Sequence, residues 1–228
     1  MSMQRRTALV TGSTRGVGAA VAEVLAEQGA HVICHGRTEA AARAAGERVG
    51  GSAVWGAFDT VESVLAVAAQ VIAQVSELHA LVHSAATLEV DTLADITPEH
   101  LDDTLAVNVK APIFLTQALL EPLRRGRARI VVVSSTEGQL ARGMPGGSLS
   151  YRLSKTAIHA FVANAAAELA ADGIIVNAVH PGWVRTDMGG ESAVMSPREA
   201  GEHVAWLASF PEAGPTGRYY FERREIPW

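Results

Sequence analysis

Short apolar runs recur along the chain, and the stretches between them repeat their apolar positions at helical spacing. Residues 7–10, 31–34, 53–58, 80–82, 129–133, 174–179 and 218–221 are short and mostly aliphatic or aromatic, and each predicts a strand. Residues 19–28, 39–48, 61–75, 98 to about 123, 151–169 and 197–207 carry apolar positions every three to four residues and predict helices. Strand and helix therefore alternate. The pattern predicts a single-domain α/β fold over residues 1–228: a doubly wound, Rossmann-type parallel sheet of about seven strands with helices on both faces. Ligands of such sheets gather at the carboxyl ends of the strands, so the residues after each run are where chemistry is expected.

The first run ends at Thr11-Gly12, followed by Ser13-Thr14-Arg15-Gly16-Val17-Gly18 and a helix. Missing side chains let a backbone approach a pyrophosphate, and the free N–H groups of the helix start would face it. The spacing is not GxGxxG, so an ordinary turn stays open as an alternative. After the second run, where an NAD site normally offers a carboxylate to the ribose, the chain has His35-Gly36-Arg37. Arg37 and Arg15 are two guanidiniums able to converge on a 2′-phosphate, which predicts NADP(H) over NAD(H); two solvated arginines are the alternative. Asp59-Thr60 and Ser84-Ala85 follow the third and fourth runs. They are candidates to touch adenosine or ribose, or else a helix cap and a loop.

Pro112 removes the N–H that the Asn108 carbonyl would take in a continuous helix, predicting a kink and an acceptor free to hold a water. Ser134-Ser135 end the fifth strand, and a glycine-rich loop leads to Tyr151-Arg152-Leu153-Ser154-Lys155. A phenol and an ammonium four residues apart share one helix face. The cation is expected to pull the phenol below its ordinary value of about 10, making a tuned acid–base, although surface pairs have the same spacing. Pro181-Gly182, Val184 and Thr186 follow the sixth strand, and residues 187–196 read as a short substrate lid. Leu140, Met144, Leu149, Trp183 and Met188 are candidates for an apolar pocket, with Arg142 a candidate partner for an anion. The helices at 98–123 and 151–171 are candidate homo-oligomer contacts.

Composition narrows this picture mainly by exclusion. A chain of 228 residues supports one sizeable core. A net charge of -5 with no basic block argues against nucleic-acid binding. Cys34 is the only cysteine, so no internal disulfide forms, and the eight histidines show no metal-ligand spacing; no catalytic metal is expected. With neither an apolar run long enough to cross a membrane nor a secretory core, the expected compartment is the cytoplasm.

Taken together, Thr11-Gly12-x-x-x-Gly16-x-Gly18, Asn108, Ser135, Tyr151-x-x-x-Lys155 and Pro181-Gly182-x-x-x-Thr186 resemble the classical short-chain dehydrogenases/reductases, in order and over essentially the whole chain. The tail further resembles the carbonyl-reductase-like members. The resemblance implies Tyr151 as acid–base, Ser135 on the substrate oxygen, Lys155 on the nicotinamide ribose and lowering the tyrosine pKa, and Asn108 positioning a relay water. Cofactor contacts would come from Gly12, Thr14, Arg15, Gly16, Val17, Gly18, Arg37, Asp59, Thr60, Ser84, Ala85, Pro181, Gly182, Val184 and Thr186, besides Tyr151 and Lys155. It implies NADP(H)-dependent reduction of a ketone or aldehyde. Alcohol oxidation and a non-catalytic NADP(H)-binding sensor are the alternatives. His83-Ser84-Ala85-Ala86 departs from the family's Asn-Asn-Ala-Gly, and the segment from Ser135 to Tyr151 is a few residues longer than in many members.

Overall fold

The computed structural model describes residues 3–211 and 213–228. Eight strands form one sheet in the order β3-β2-β1-β4-β5-β6-β7-β8. They are β1 (Thr7–Val10), β2 (His31–Gly36), β3 (Ser52–Trp55), β4 (Ala80–His83), β5 (Arg129–Val133), β6 (Ile175–His180), β7 (Arg218–Phe221) and β8 (Arg224–Ile226). The first seven pair in parallel. The order reverses between β1 and β4, and that switch point opens the crevice in which sheets of this kind bind ligands.

The expected sheet of about seven strands gains one more, and two boundary expectations are corrected. The sheet has an eighth strand, because Phe221 and Arg224 are joined by a two-residue turn in which Glu222 and Arg223 both take positive φ, the hairpin geometry that matches strand twist. Neither residue is a glycine, so the turn carried no sequence signal. The third strand stops at Trp55, and Phe58 lies beyond it, stacked on the His35 ring at 4.3 Å. The stretch expected as one kinked helix breaks into α4 (Pro98–Leu105), a π-helical turn (Ala106–Lys110), α5 (Ala111–Ala118) and α6 (Leu120–Arg125). The Ala111 N–H bonds the Ala106 carbonyl, five residues back, so the widened turn sits on Asn108 itself.

The remaining helices are α1 (Gly16–Glu27), α2 (Glu39–Arg48), α3 (Val61–Ile72), α7 (Leu149–Leu169) and α8 (Pro197–Ala208). Alternate strand residues feed two cores. Leu9, Ile33, Leu81, Ile130 and Val176 pack with α3, α5 and α7, whereas Val10, Val32, Val82, Val131 and Val179 pack with α1 and α8. No helix among the described residues is long and apolar enough to cross a membrane.

Candidate active site

The glycine turn after β1 is held by its neighbours with little slack. Gly12 has φ +64°, and a Cβ there would stand 2.8 Å from the Ala85 Cα; at Gly18 it would meet the Gly12 carbonyl oxygen at 2.3 Å. Thr11 ties this turn to the end of β4, its Oγ1 accepting the amides of Ser84 and Ala85 at 3.0 and 3.1 Å. Gly16 lies beneath Thr186, whose methyl is 3.2 Å from where a Cβ would be. The residues expected after β1, β4 and β6 thus meet. Helix α1 starts at Arg15 with no side-chain cap and no acidic residue in its first turn, while α2, α3, α4 and α8 are capped by Thr38, Thr60, Thr97 and Ser196. An uncapped helix start above small residues fits an anion such as pyrophosphate. Thr60 serves first as that cap, with Asp59 exposed beside it.

Arg15 and Arg37 do not converge here. Arg15 reaches across to Asp187 at 2.5 Å, joining the glycine turn to the 187–196 segment, and Arg37 stands exposed past β2. Both members of the Arg15–Asp187 pair are mostly exposed, so the contact is weak and easily exchanged. Two buried histidines, His35 and His83, shape this region. His35 accepts the Gly12 amide on Nδ1 at 3.2 Å, and its Nε2 lies 3.0 Å from the Gly56 carbonyl, an arrangement that requires a neutral ring; burial holds its pKa at about 4. His83, at the place of the family's asparagine, is fully buried against Thr116 at 2.9 Å and held at about 3 by burial.

Across the crevice, α7 begins two residues before Tyr151. Its own N-cap, Ser148, is in the left-handed region at φ +46° and offers no side-chain bond. The acceptors come instead from Asp91, in the loop after β4. Its main-chain carbonyl takes the Leu149 N–H, and its carboxylate takes the Ser150 N–H at 3.1 Å, with the residue only 1 % exposed. Sequence reasoning missed Asp91 because it lies 59 positions from the amide that it caps. Asn108 braces the same turn: its Nδ2 donates to the Thr87 carbonyl and to Ser154 Oγ, and Ser154 donates to the Tyr151 carbonyl at 2.7 Å.

The two serines after β5 separate cleanly. Ser134 turns into the core onto His159 Nε2 at 2.8 Å, while Ser135 accepts the Glu137 N–H at 3.1 Å and acts to lower the pKa of the Tyr151 phenol. Lys155 is buried, donates from Nζ to the Val133 carbonyl at 3.1 Å, and sits 5.3 Å from the Tyr151 ring centre. The expected lowering of the phenol pKa is overturned here. Burial, its largest influence, pushes Tyr151 up to about 12 against the Ser135 hydrogen bond, and the Glu137 charge adds to the rise. Lys155 lies over the ring face instead of beside the oxygen, and burial pulls it down to about 8. Of the expected apolar lining, Leu140, Met144, Trp183 and Met188 are all exposed, and Met144 alone of the four borders a cavity beside this centre.

Comparison with known proteins agrees with this geometry. The short chain dehydrogenase family profile matches residues 6–196. A 3-oxoacyl-[acyl-carrier-protein] reductase FabG of Vibrio cholerae is 31% identical, the alignment covering 93% of each chain. Among solved structures, a 3-oxoacyl (acyl-carrier-protein) reductase of Agrobacterium tumefaciens with NADP bound superposes with a TM-score of 0.87 at 28% identity, covering 96% of this chain and 93% of that one. A blue fluorescent protein from a metagenomic library in complex with NADPH superposes at 0.88 and 26% identity, covering 97% and 98%. With the family's motifs brought to one crevice and its profile spanning most of the length, this chain belongs to the short-chain dehydrogenases, oxidoreductases that act on CH–OH and carbonyl groups.

Proposed function

We propose that this enzyme reduces a ketone or aldehyde at the expense of NADPH, with Tyr151 as the proton donor. One arrangement carries the reading: the buried phenol of Tyr151 stands at the crevice with Ser135 and Lys155, its turn braced by Asn108 through Ser154, and burial favours its protonated form, the one that reduction consumes. A nicotinamide held here would supply the hydride that reduction of the carbonyl carbon requires. Tyr151 gives its proton to the carbonyl oxygen, and Ser135 stabilises the charge that develops there. Lys155 would hold a positive charge over the Tyr151 ring, and Asn108, through Ser154, braces the turn that carries the phenol.

The uncapped start of α1 over Gly12, Gly16 and Gly18 supports a pyrophosphate site, and Thr14 and Val17 belong to the same turn. Arg37, with no carboxylate at the end of β2, supports preference for the 2′-phosphate. Asp59, Thr60, Ser84 and Ala85 would hold the adenosine side, and Pro181, Gly182, Val184 and Thr186 the nicotinamide, beneath a lid at 187–196. A cytoplasmic location and a homo-oligomer through α4–α6 and α7 complete the reading; cell fractionation and light scattering check them.

Tyr151→Phe is the test. NADPH oxidation with a good carbonyl substrate should fall by about 10³ or more, while NADPH affinity stays within about twofold and exceeds NADH affinity at least about tenfold. Retained turnover removes Tyr151 from its role, and equal affinity for the two cofactors removes the 2′-phosphate contact.

A further inference from the structure

A cavity of about 400 Å³ lies beside the catalytic pair, lined by Thr136, Glu137, Arg142, Gly143, Met144, Pro145 and Arg152. Neither Ser135 nor Tyr151 lines it. Its walls come from the residues that directly follow each of them, so it adjoins the reacting centre without containing it.

The charges around this cavity are unequal. Arg152 is anchored: its side chain is 11 % exposed, Nε donates to the Gly147 carbonyl at 2.7 Å, and Nη2 is ion-paired with Glu137. Its Nη1 makes no hydrogen bond among the described residues. Arg142 is exposed, and its guanidinium has neither ion pair nor hydrogen bond among the described residues. Glu137 neutralises one of the two guanidiniums, so the cavity keeps a single net positive charge. Arg142 also lowers the pKa of His180 at the end of β6, so its charge is felt at the crevice. Met144 and Pro145 supply an apolar wall.

Resting on the reductase reading above, we infer that this cavity is a subsite for a carboxylate carried by the substrate, with Arg142 as its main ligand and Arg152 Nη1 as a fixed second donor. The preferred substrates are then oxo acids, whose carbonyl meets Tyr151 while the carboxylate stays in the cavity. One net positive charge matches a monoanion better than a dianionic phosphate. A planar guanidinium also suits the two oxygens of a carboxylate.

The test compares oxo acids of graded chain length with their methyl esters, following NADPH oxidation by the wild type, Arg142→Ala and Arg142→Lys. At the best chain length, kcat/KM for the acid should exceed that for the ester by at least about tenfold, an advantage that shrinks with added salt. Arg142→Ala should bring the acid-to-ester ratio close to one, and Arg142→Lys should keep part of it. The Arg142 side chain is exposed and holds no hydrogen bond or ion pair among the described residues, so these variants should fold. Equal use of acid and ester by the wild type, or equal loss of both in Arg142→Ala, overturns the subsite and leaves the reductase standing. A preference for phosphorylated carbonyls over oxo acids overturns the monoanion assignment. If no carbonyl in the series oxidises NADPH, both the reductase and the subsite fall.

Discussion

On the cofactor side of the crevice, β1, β2 and β4 meet through backbone amides, small residues and buried imidazoles, with Gly12 against Ala85, Gly18 against the Gly12 carbonyl, and His35 between Gly12 and Gly56. On the substrate side, the loop after Ser135 is largely exposed, and Gly143, Gly146 and Gly147 have nothing within 4 Å of an added Cβ. The two ends of that loop are pinned, by Gly138 against Lys155 at the first and by Asp91 and Asn108 at the start of α7. In the reading proposed above, NADP(H) would be met by a fixed cradle. Substrates differ, so that wall is built from loops that accept change, and rigidity is confined to the few atoms that carry the phenol.

The largest expected effect separates the two sides by acid. His35 and His83 on the cofactor side are held at about 4 and about 3, and His159 and His180 on the catalytic side at about 4 each, mainly by burial. These folded values lie below the unfolded value of 6.5, so stability is complete above 6.5 and is lost as pH falls toward the folded values. Each group loses about 1.4 kcal/mol per pH unit. Four together lose up to about 8 kcal/mol by pH 5, comparable with the whole stability of a domain. Urea midpoints from pH 7 to 5 should fall steeply, and replacing the histidine pair of either side should halve the slope. A flat profile would show that the rings are not buried as neutral groups.

Next comes Gly18→Ala. The new methyl would sit 2.3 Å from a carbonyl oxygen, so the turn must shift. We expect a loss of about 1–3 kcal/mol of stability and at least about tenfold in NADPH affinity. Gly143→Ala, where space is open and only a φ of +72° resists, should cost about 1 kcal/mol and spare the cofactor. Equal losses of NADPH affinity in both variants would erase the contrast between cradle and loop.

The smallest effect falls on Asp91. Asp91→Ala removes a cap worth about 1 kcal/mol and should lower kcat while leaving NADPH affinity in place. Asp91→Asn keeps the acceptor and should recover most of kcat. A change in NADPH affinity alone, with kcat intact, would separate Asp91 from the positioning of Tyr151.

What the sequence by itself determined is what local pattern encodes. Short apolar runs alternating with stretches of period 3.6 set the parallel α/β sheet, the glycines after β1 marked the turn, and Tyr151 with Lys155 stood four apart on one helix. Only the tertiary structure decided which polar atoms meet: Asp91 on the start of α7, His35 on the glycine turn, Ser134 into the core and Ser135 toward the phenol. It also reversed the expected direction of the Tyr151 pKa. A spacing along a helix fixes which charges are near, whereas the water lost on burial depends on every element packed around the group, and here that loss outweighs the lowering by Ser135.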